Sequence, residues 1–291
     1  MKSKNDTLFQ AVVYVLTALI CLITLYPLIY VLSASFSDPA RILGGDVVLW
    51  PVDVTTNAYR RVFASADILT GYRNTLLYTL FGTSLNMVAT IMAAYPLSLP
   101  DLKGKNIFTF FITFTMFFGA GMIPSYLNLK DLGLLNNPLV VIVPGAISVT
   151  NMLIMRNYFI NSVPAALREA ASIDGASPMA VMMRIVLPLS KSIIIVIILY
   201  YMVGHWNSYF NAFLYLTDKN LYPLQIFLRQ ILLQNNFDAD LMDEDMLAQI
   251  QNLQEVLKYA IIVISTAPLM LIYPFVQKYF VKGVMIGSVK G

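Results

Sequence analysis

Charge is scarce in this sequence. Only 12% of its 291 residues are Asp, Glu, Lys or Arg, whereas 58% are hydrophobic. A soluble globular chain carries about twice that charged fraction, so folding this one in water would expose large apolar patches. A polytopic membrane protein is therefore the expected class. Cysteine is nearly absent: Cys21 stands alone in an apolar run, which excludes an internal disulfide and a cysteine-based metal site. His205 is the only histidine, which excludes histidine-rich metal centres. The net charge of +3 is too small to argue for a nucleic-acid partner.

What the chain has instead is long apolar runs. Six segments, approximately 9–33, 74–98, 107–128, 138–155, 191–216 and 257–277, can cross about 30 Å of hydrocarbon as helices rising about 1.5 Å per residue. The first follows Met1-Lys2-Ser3-Lys4, exceeds the core of a signal peptide and lacks a clear cleavage site after it. It is expected to be a retained helix that also directs insertion. Ile193 to Leu199 is an unbroken run of strongly apolar residues, contributing roughly −2 to −4 kcal/mol to insertion.

Six crossings place both termini on one side. If that side is cytoplasmic, it holds Lys2, Lys4, Lys103, Lys105, Arg156, Arg168, Arg184, Lys191, Lys278, Lys282 and Lys290. Its only acids are Asp6, Asp101, Glu169 and Asp174. The positive-inside rule favours this orientation. The outer connections are then about 34–73, 125–137 and 217–256, the last with an acidic, amide-rich run from Asn235 to Gln254. That run is either a solvated loop or a surface for an extracellular partner. The whole chain, 1–291, reads as a single transmembrane domain, with a core of about 72–280 and a cytoplasmic loop of about 157–190.

No Asp, Glu, Lys or Arg lies near the centre of any span. Such a charge costs about 2.5–3.5 kcal/mol, and ion-coupled carriers keep one as a relay or ion ligand. A secondary transporter is thus disfavoured, although an uncoupled channel stays open. A membrane-embedded enzyme is disfavoured too, because paired carboxylates and metal-ligand clusters are missing. Among the uncharged polar residues are Thr83, Ser84, Asn86 and Thr90 in the second segment, Asn151 in the fourth, and Trp206, Asn207, Ser208, Tyr209 and Asn211 in the fifth. Asn207 and Asn211 are spaced to share one face of a continuous helix. Amide and aromatic groups suit a neutral, hydroxyl-rich solute, so Asn86, Asn151, Asn207, Tyr209 and Asn211 are candidate path residues. The same amides also serve as structural bonds between helices, and that reading fits His205 better than a catalytic base. Pro27, Pro96, Gly119, Gly121, Pro124, Pro144, Gly145, Pro268 and Pro274 interrupt the spans and permit kinks.

Between the fourth and fifth segments the pattern turns polar. Asn161 or Ser162 can cap a helix whose first turn accepts Pro164. That helix continues through Ala165 to Ala171, and Gly175 stands where a left-handed residue would end it. Ser177-Pro178 predicts a second cap and first turn, and Pro188 an end. Val163, Leu167, Ala170 and Ala171 are predicted to share one face, with Arg168, Glu169 and Ser172 elsewhere. An amphipathic hairpin resting on lipid headgroups would read the same way.

The gapped pattern Glu169-Ala170-Ala171-x3-Gly175-x9-Ile185-x-Leu187-Pro188, with Asp174-Gly175-Ala176 inside it, resembles the EAA loop of binding-protein-dependent ABC importer permeases. Ile123-Pro124 with Asp131 to Asn136, His205-Trp206-Asn207 to Phe213, and the tail from Tyr273 to Gly291 resemble the carbohydrate branch, in its smaller maltose-type subunit. The tail is closest to permeases for oligosaccharides cut from complex polysaccharides. The resemblance implies an all-α type I importer fold of six transmembrane helices with a cytoplasmic coupling helix–turn–helix. It implies that Glu169, Ala170, Ala171, Asp174 and Gly175 form a turn seated in an ATPase groove, anchored by Ile185, Leu187 and Pro188. It implies as partners a second homologous permease, two ATPase subunits, an extracellular solute-binding protein and membrane lipid, at the cell membrane. The third outer connection, around Leu221 to Gln254, would reach toward the binding protein, and the tail from Gly283 to Gly291 toward the ATPases. ATP and magnesium would be bound by the ATPases and no cofactor by this chain. In agreement, Gly104-Lys105 lacks the upstream glycine and following hydroxyl of a phosphate-binding loop. A permease of the same class for a different solute is the alternative.

Overall fold

The computed structural model describes residues 4–233 and 244–288, and the regular structure among them is helical. In chain order the helices are α1 (Lys4–Ser35), α2 (Pro39–Leu43), α3 (Asn57–Ala64), α4 (Ala66–Ser98), α5 (Lys105–Phe117), α6 (Met122–Asp131), α7 (Leu139–Ile142) and α8 (Val149–Ser162). They continue with α9 (Ala165–Ile173), α10 (Pro178–Val181), a π-turn (Met182–Val186), α11 (Leu187–Leu189), α12 (Lys191–Trp206), α13 (Phe210–Tyr215), α14 (Leu224–Leu233) and α15 (Glu244–Ser288). The chain forms two compact units, residues 1–69 with 227–268, and residues 70–226 with 269–291.

Three helices are continuous, apolar and long enough to cross a membrane: Leu8–Ser35, Ala66–Ser98 and Val256–Tyr279. Two bent pairs raise the number of crossings to as many as 5, against the six continuous segments expected from sequence. The difference lies in backbone breaks. The expected helix 107–128 is α5 and α6, bent by 113°. Gly121, at φ +83°, turns the chain there, and Pro124 fits the first turn of α6, where backbone N–H groups have no helical partner anyway. The expected helix 138–155 is the single turn α7, a non-helical stretch at 143–148, and α8. Pro144 supplies no N–H and Gly145 has φ +79°, so the helix cannot run through. The expected helix 191–216 ends at Trp206 and restarts at Phe210. Asn207 and Asn211 therefore do not share a helix face: Asn207 is the C-cap of α12 and Asn211 lies on α13.

Part of the acidic run expected in the third outer connection, residues 234–243, lies outside the described residues, as do residues 289–291 of the tail. From Glu244 to Gln254 the backbone is helical, as the start of α15.

In the first unit, the segment after α1 is sewn to its last turn. Ser33 Oγ donates to the Leu49 carbonyl at 2.6 Å, and Ser37 Oγ accepts from the Val52 N–H at 3.0 Å. Asp38 caps α2 by accepting from the Ala40 N–H at 2.9 Å. Exposed Arg41 pairs with Asp53 at 2.7 Å and Asp46 at 3.2 Å. Hydrogen bonds to these two carboxylates push its pKa above its already high ordinary value. Exposed pairs of this kind add little stability and weaken in salt.

The second unit has its core where α8 and α12 pack against the C-terminal part of α4. Met152, Met155 and Phe159 are fully buried and recur on one side of α8, meeting Ile197 of α12 and Ala94 and Leu97 of α4. Lipid tails are as apolar as these side chains, so the stabilisation comes from close packing rather than escape from water. Asn136 fastens the connection after α6. It adopts φ +53°, its N–H donates to the Tyr215 carbonyl at 2.8 Å, and its Oδ1 accepts from Thr217 and Asp218 N–H at 3.0 and 2.9 Å.

Asn136→Gly keeps the backbone shape but removes both side-chain bonds. It is expected to lower stability by about 1–3 kcal/mol and to expose the connection to protease, whereas Asn136→Asp retains the acceptor. Thermal unfolding of the purified chain in detergent checks this; equal midpoints for Asn136→Gly and wild type would show that the two bonds carry no stability.

Candidate functional site

The polar hairpin between α8 and α12 is built by local backbone chemistry. At the end of α9, the Ala176 N–H donates to the Ala171 carbonyl at 2.9 Å and the Gly175 N–H to the Ser172 carbonyl at 3.1 Å. With Gly175 at φ +78°, this is a Schellman closure of the helix. Two residues later Ser177 Oγ accepts from the Ala180 N–H at 3.3 Å, with Pro178 at the first helical position. One compact turn thus stops α9 and starts α10, as the residue pattern predicts.

Three local expectations need correction. Asn161 and Ser162 do not cap α9, because α8 runs to Ser162 and uses them; Pro164 occupies the N-cap without a side-chain bond. Pro188 does not end the second helix. It lies inside α11, and the backbone accommodates it by widening to a π-turn over Met182–Val186, which contains Arg184, the residue whose carbonyl its ring would strike. The direction changes later, by 85° at Ser190. The predicted apolar face is also divided. Val163 is buried and Ala171 half-buried against the core, but Leu167 and Ala170 are exposed.

The turn is thereby presented outward and fixed inward. Glu169, Ala170, Asp174 and Gly175 are exposed, and Ile173 is 86% exposed. Ile185 and Leu187 pack against the core beside buried Val181 and Met182, whereas Pro188 is exposed. Tyr95 Oη donates to the Pro178 carbonyl at 3.1 Å, tying the start of α10 to α4. Arg156 Nε donates to the Leu97 carbonyl at 2.8 Å, tying α8 to the same end of α4. A cleft of about 750 Å³ separates α9 from the Pro100–Leu102 turn, with Tyr95, Asp101, Arg168, Glu169 and Ile173 on its walls. Two apolar side chains, Leu167 and Ile173, thus flank the Glu169–Ala170 surface and are exposed among the described residues, the arrangement expected of a docking face.

The second candidate region is the break at 143–148. Buried backbone groups freed from helical bonding need other partners. Asn86 of α4, 1% exposed, donates from Nδ2 to the Gly145 carbonyl at 3.1 Å and the Ala146 carbonyl at 2.8 Å. Its Oδ1 bonds His205 Nε2, which is therefore the protonated ring nitrogen. The imidazole lies against Gly82, where any side chain would collide with it. Tyr201 Oη accepts from the Ser148 N–H at 3.0 Å and shares a hydrogen bond with Thr90 Oγ1 at 2.7 Å.

Asn86, Gly145, Ser148, Tyr201 and His205 line a polar cavity of about 320 Å³, whose walls also include Asn151, Tyr200, Ser208 and Asn211. Of the predicted path residues, the fold brings Asn86, Asn151 and Asn211 together here. Asn207 and Tyr209 are not on the walls: Asn207 Nδ2 is spent on the Val203 carbonyl at 3.0 Å, and Tyr209 precedes α13. Sequence reasoning missed Ser148, Tyr200 and Tyr201. The Pro144-Gly145 dipeptide was the available signal, since a break inside an apolar segment demands polar neighbours.

Comparison with known proteins places these features in context. Residues 1–286 match the family described as binding-protein-dependent transport system inner membrane component. The chain is 38% identical over 288 residues to the polygalacturonan/rhamnogalacturonan transport system permease protein YtcP of Bacillus subtilis (strain 168), covering 99% of this chain and 100% of the relative. It is 39% identical over 269 residues to Protein LplC of the same organism, covering 92% and 90%. A chain from the crystal structure of a bacterial ABC transporter involved in the import of the acidic polysaccharide alginate superposes with a TM-score of 0.87 at 38% identity, covering 96% of this chain and 99% of that one.

Tyr201→Phe strands the Ser148 N–H and is expected to cost about 1–3 kcal/mol. Thr90→Val leaves that bond in place and is expected to cost less. Detergent melting of both variants and of the double variant checks the network; a Thr90→Val loss equal to that of Tyr201→Phe would show that Ser148 does not depend on the phenol.

Proposed function

Because the chain belongs to the family of binding-protein-dependent transport system inner membrane components, we propose that it is one permease subunit of an ATP-driven importer for oligosaccharides, among them fragments of acidic polysaccharides. The relatives named for polygalacturonan, rhamnogalacturonan and alginate support this cargo class. The chain crosses the membrane six times in this reading. Three crossings are continuous helices, one is the bent pair α5 and α6, one is α7 with α8 joined through the Pro144-Gly145 break, and one is α12 with α13. Both termini are cytoplasmic. A second homologous permease completes the translocation path, two ATPase subunits bind ATP and magnesium, and an extracellular binding protein delivers the sugar.

The observation that carries the coupling role is the closed turn at Ser172–Ser177, flanked by exposed Leu167, Glu169 and Ile173. In this reading Glu169, Ala170, Ala171, Asp174 and Gly175 enter an ATPase groove, while Ile185, Leu187 and Pro188 hold the second short helix to the spans. Closure of the ATPase pair then pushes on a rigid element, and the path changes its opening from one side to the other. Energy enters through the different affinities of the ATPases for the two states, not through chemistry in this chain.

Gly175→Pro tests the role. Proline cannot adopt φ +78° and cannot donate to Ser172, so the turn is lost while the spans keep their sequence. The expected outcome is normal membrane insertion with uptake at background, either through lost ATPase assembly or through hydrolysis without transport. Gly175→Asn, which tolerates the left-handed conformation, is expected to retain uptake. Wild-type uptake by Gly175→Pro would refute the coupling assignment.

A further inference from the structure

Resting on the oligosaccharide reading above, we propose that the cavity beside the 143–148 break seats one sugar ring by its hydroxyl groups, and that this cavity does not read the carboxylates of an acidic cargo. The argument begins with which polar groups are already used. Asn86 spends both N–H donors on Gly145 and Ala146 and its acceptor on His205. It is architecture. Asn151 of α8 and Asn211 of α13 line the same cavity, and their side chains have no hydrogen-bond partner among the described residues. Each carboxamide offers donors and an acceptor together, which is what a sugar hydroxyl, itself donor and acceptor, requires. Ser208 adds a further hydroxyl, and Tyr200, 46% exposed, adds an aromatic surface for the C–H face of a ring.

Among the described residues, the walls also contain no Asp, Glu, Lys or Arg. A carboxylate placed here would lose water without gaining a cation, at a cost of several kcal/mol. The ring must therefore enter with its hydroxyl edge inward and its carboxylate elsewhere. At about 320 Å³ the cavity is at the low end for small-molecule sites, about 300–1,000 Å³, so it holds one ring rather than a longer chain.

The test uses the importer assembled with its own partner subunits in proteoliposomes. The probes are digalacturonate and its neutral counterpart with both carboxylates reduced to alcohols. Asn151→Ala and Asn211→Ala are each expected to raise the KM for uptake about five- to tenfold, by the same factor for both sugars, with kcat changed less. Asn211→Asp, nearly isosteric, is expected to impair digalacturonate more than the neutral sugar, which covers the case of an alanine variant that fails to fold. Unchanged KM in folded variants, or a loss confined to digalacturonate in the alanine variants, overturns the inference while the transport reading stands. Failure of the wild-type assembly to move either sugar overturns the oligosaccharide reading and this inference with it.

Discussion

The constraint on which the second unit depends is that a buried backbone N–H or C=O must find a partner. A continuous helix meets it internally. Where Pro144 and Gly145 end that solution, the chain imports partners from elsewhere: Asn86 from α4 for two carbonyls, and Tyr201 from α12 for the Ser148 N–H. The polar residues of the spans are thus set first by the break. The polar cavity is its consequence, because groups gathered to satisfy a backbone also line the space that the missing helical turns leave open.

The same reasoning separates structural from available amides. Residue type alone made Asn86, Asn151, Asn207, Tyr209 and Asn211 equivalent candidates. Hydrogen-bond accounting divides them. Asn86 is saturated, Asn207 is turned back onto its own helix, and Asn151 and Asn211 line the cavity with their side-chain capacity unspent among the described residues. His205 belongs with the saturated group on its Nε2 side, and Gly82 is small because the imidazole occupies the space where a side chain would stand.

Legibility from sequence followed the range of the interactions. The turn at Ser172–Ser177 was readable to the residue, since a left-handed glycine, a serine cap and a first-turn proline act within one or two turns of chain. The all-helical class was readable from composition. The breaks were only half readable. Glycine and proline marked those at Phe118–Gly121 and Val143–Ser148, but apolar length favoured continuous spans, and the break after Trp206 carries neither residue at its centre. Pro188 misled for the opposite reason: a π-turn absorbed it, with Met182 and Val186 of that turn buried in one cluster with residues of α8 and α4. Pairings such as Asn86 with Gly145, or Tyr95 with Pro178, join residues far apart in the chain and have no local signature at all.

Those distant pairings relate the two regions of the second unit. Tyr95, which bonds the carbonyl of Pro178, and Asn86, which holds the break, sit on the same helix, about 13 Å apart along its axis. Tyr201 and His205 sit on α12, the helix that continues directly from the hairpin after the bend at Ser190. A displacement of the hairpin therefore acts on both helices that hold the break. The close-packed core between them, with Met155, Phe159 and Ile197 fully buried, resists being sheared gradually. Motion in such an assembly is a switch between packed arrangements rather than a graded deformation. In the proposed importer, that is how force applied at Glu169–Gly175 would reach Asn151 and Asn211.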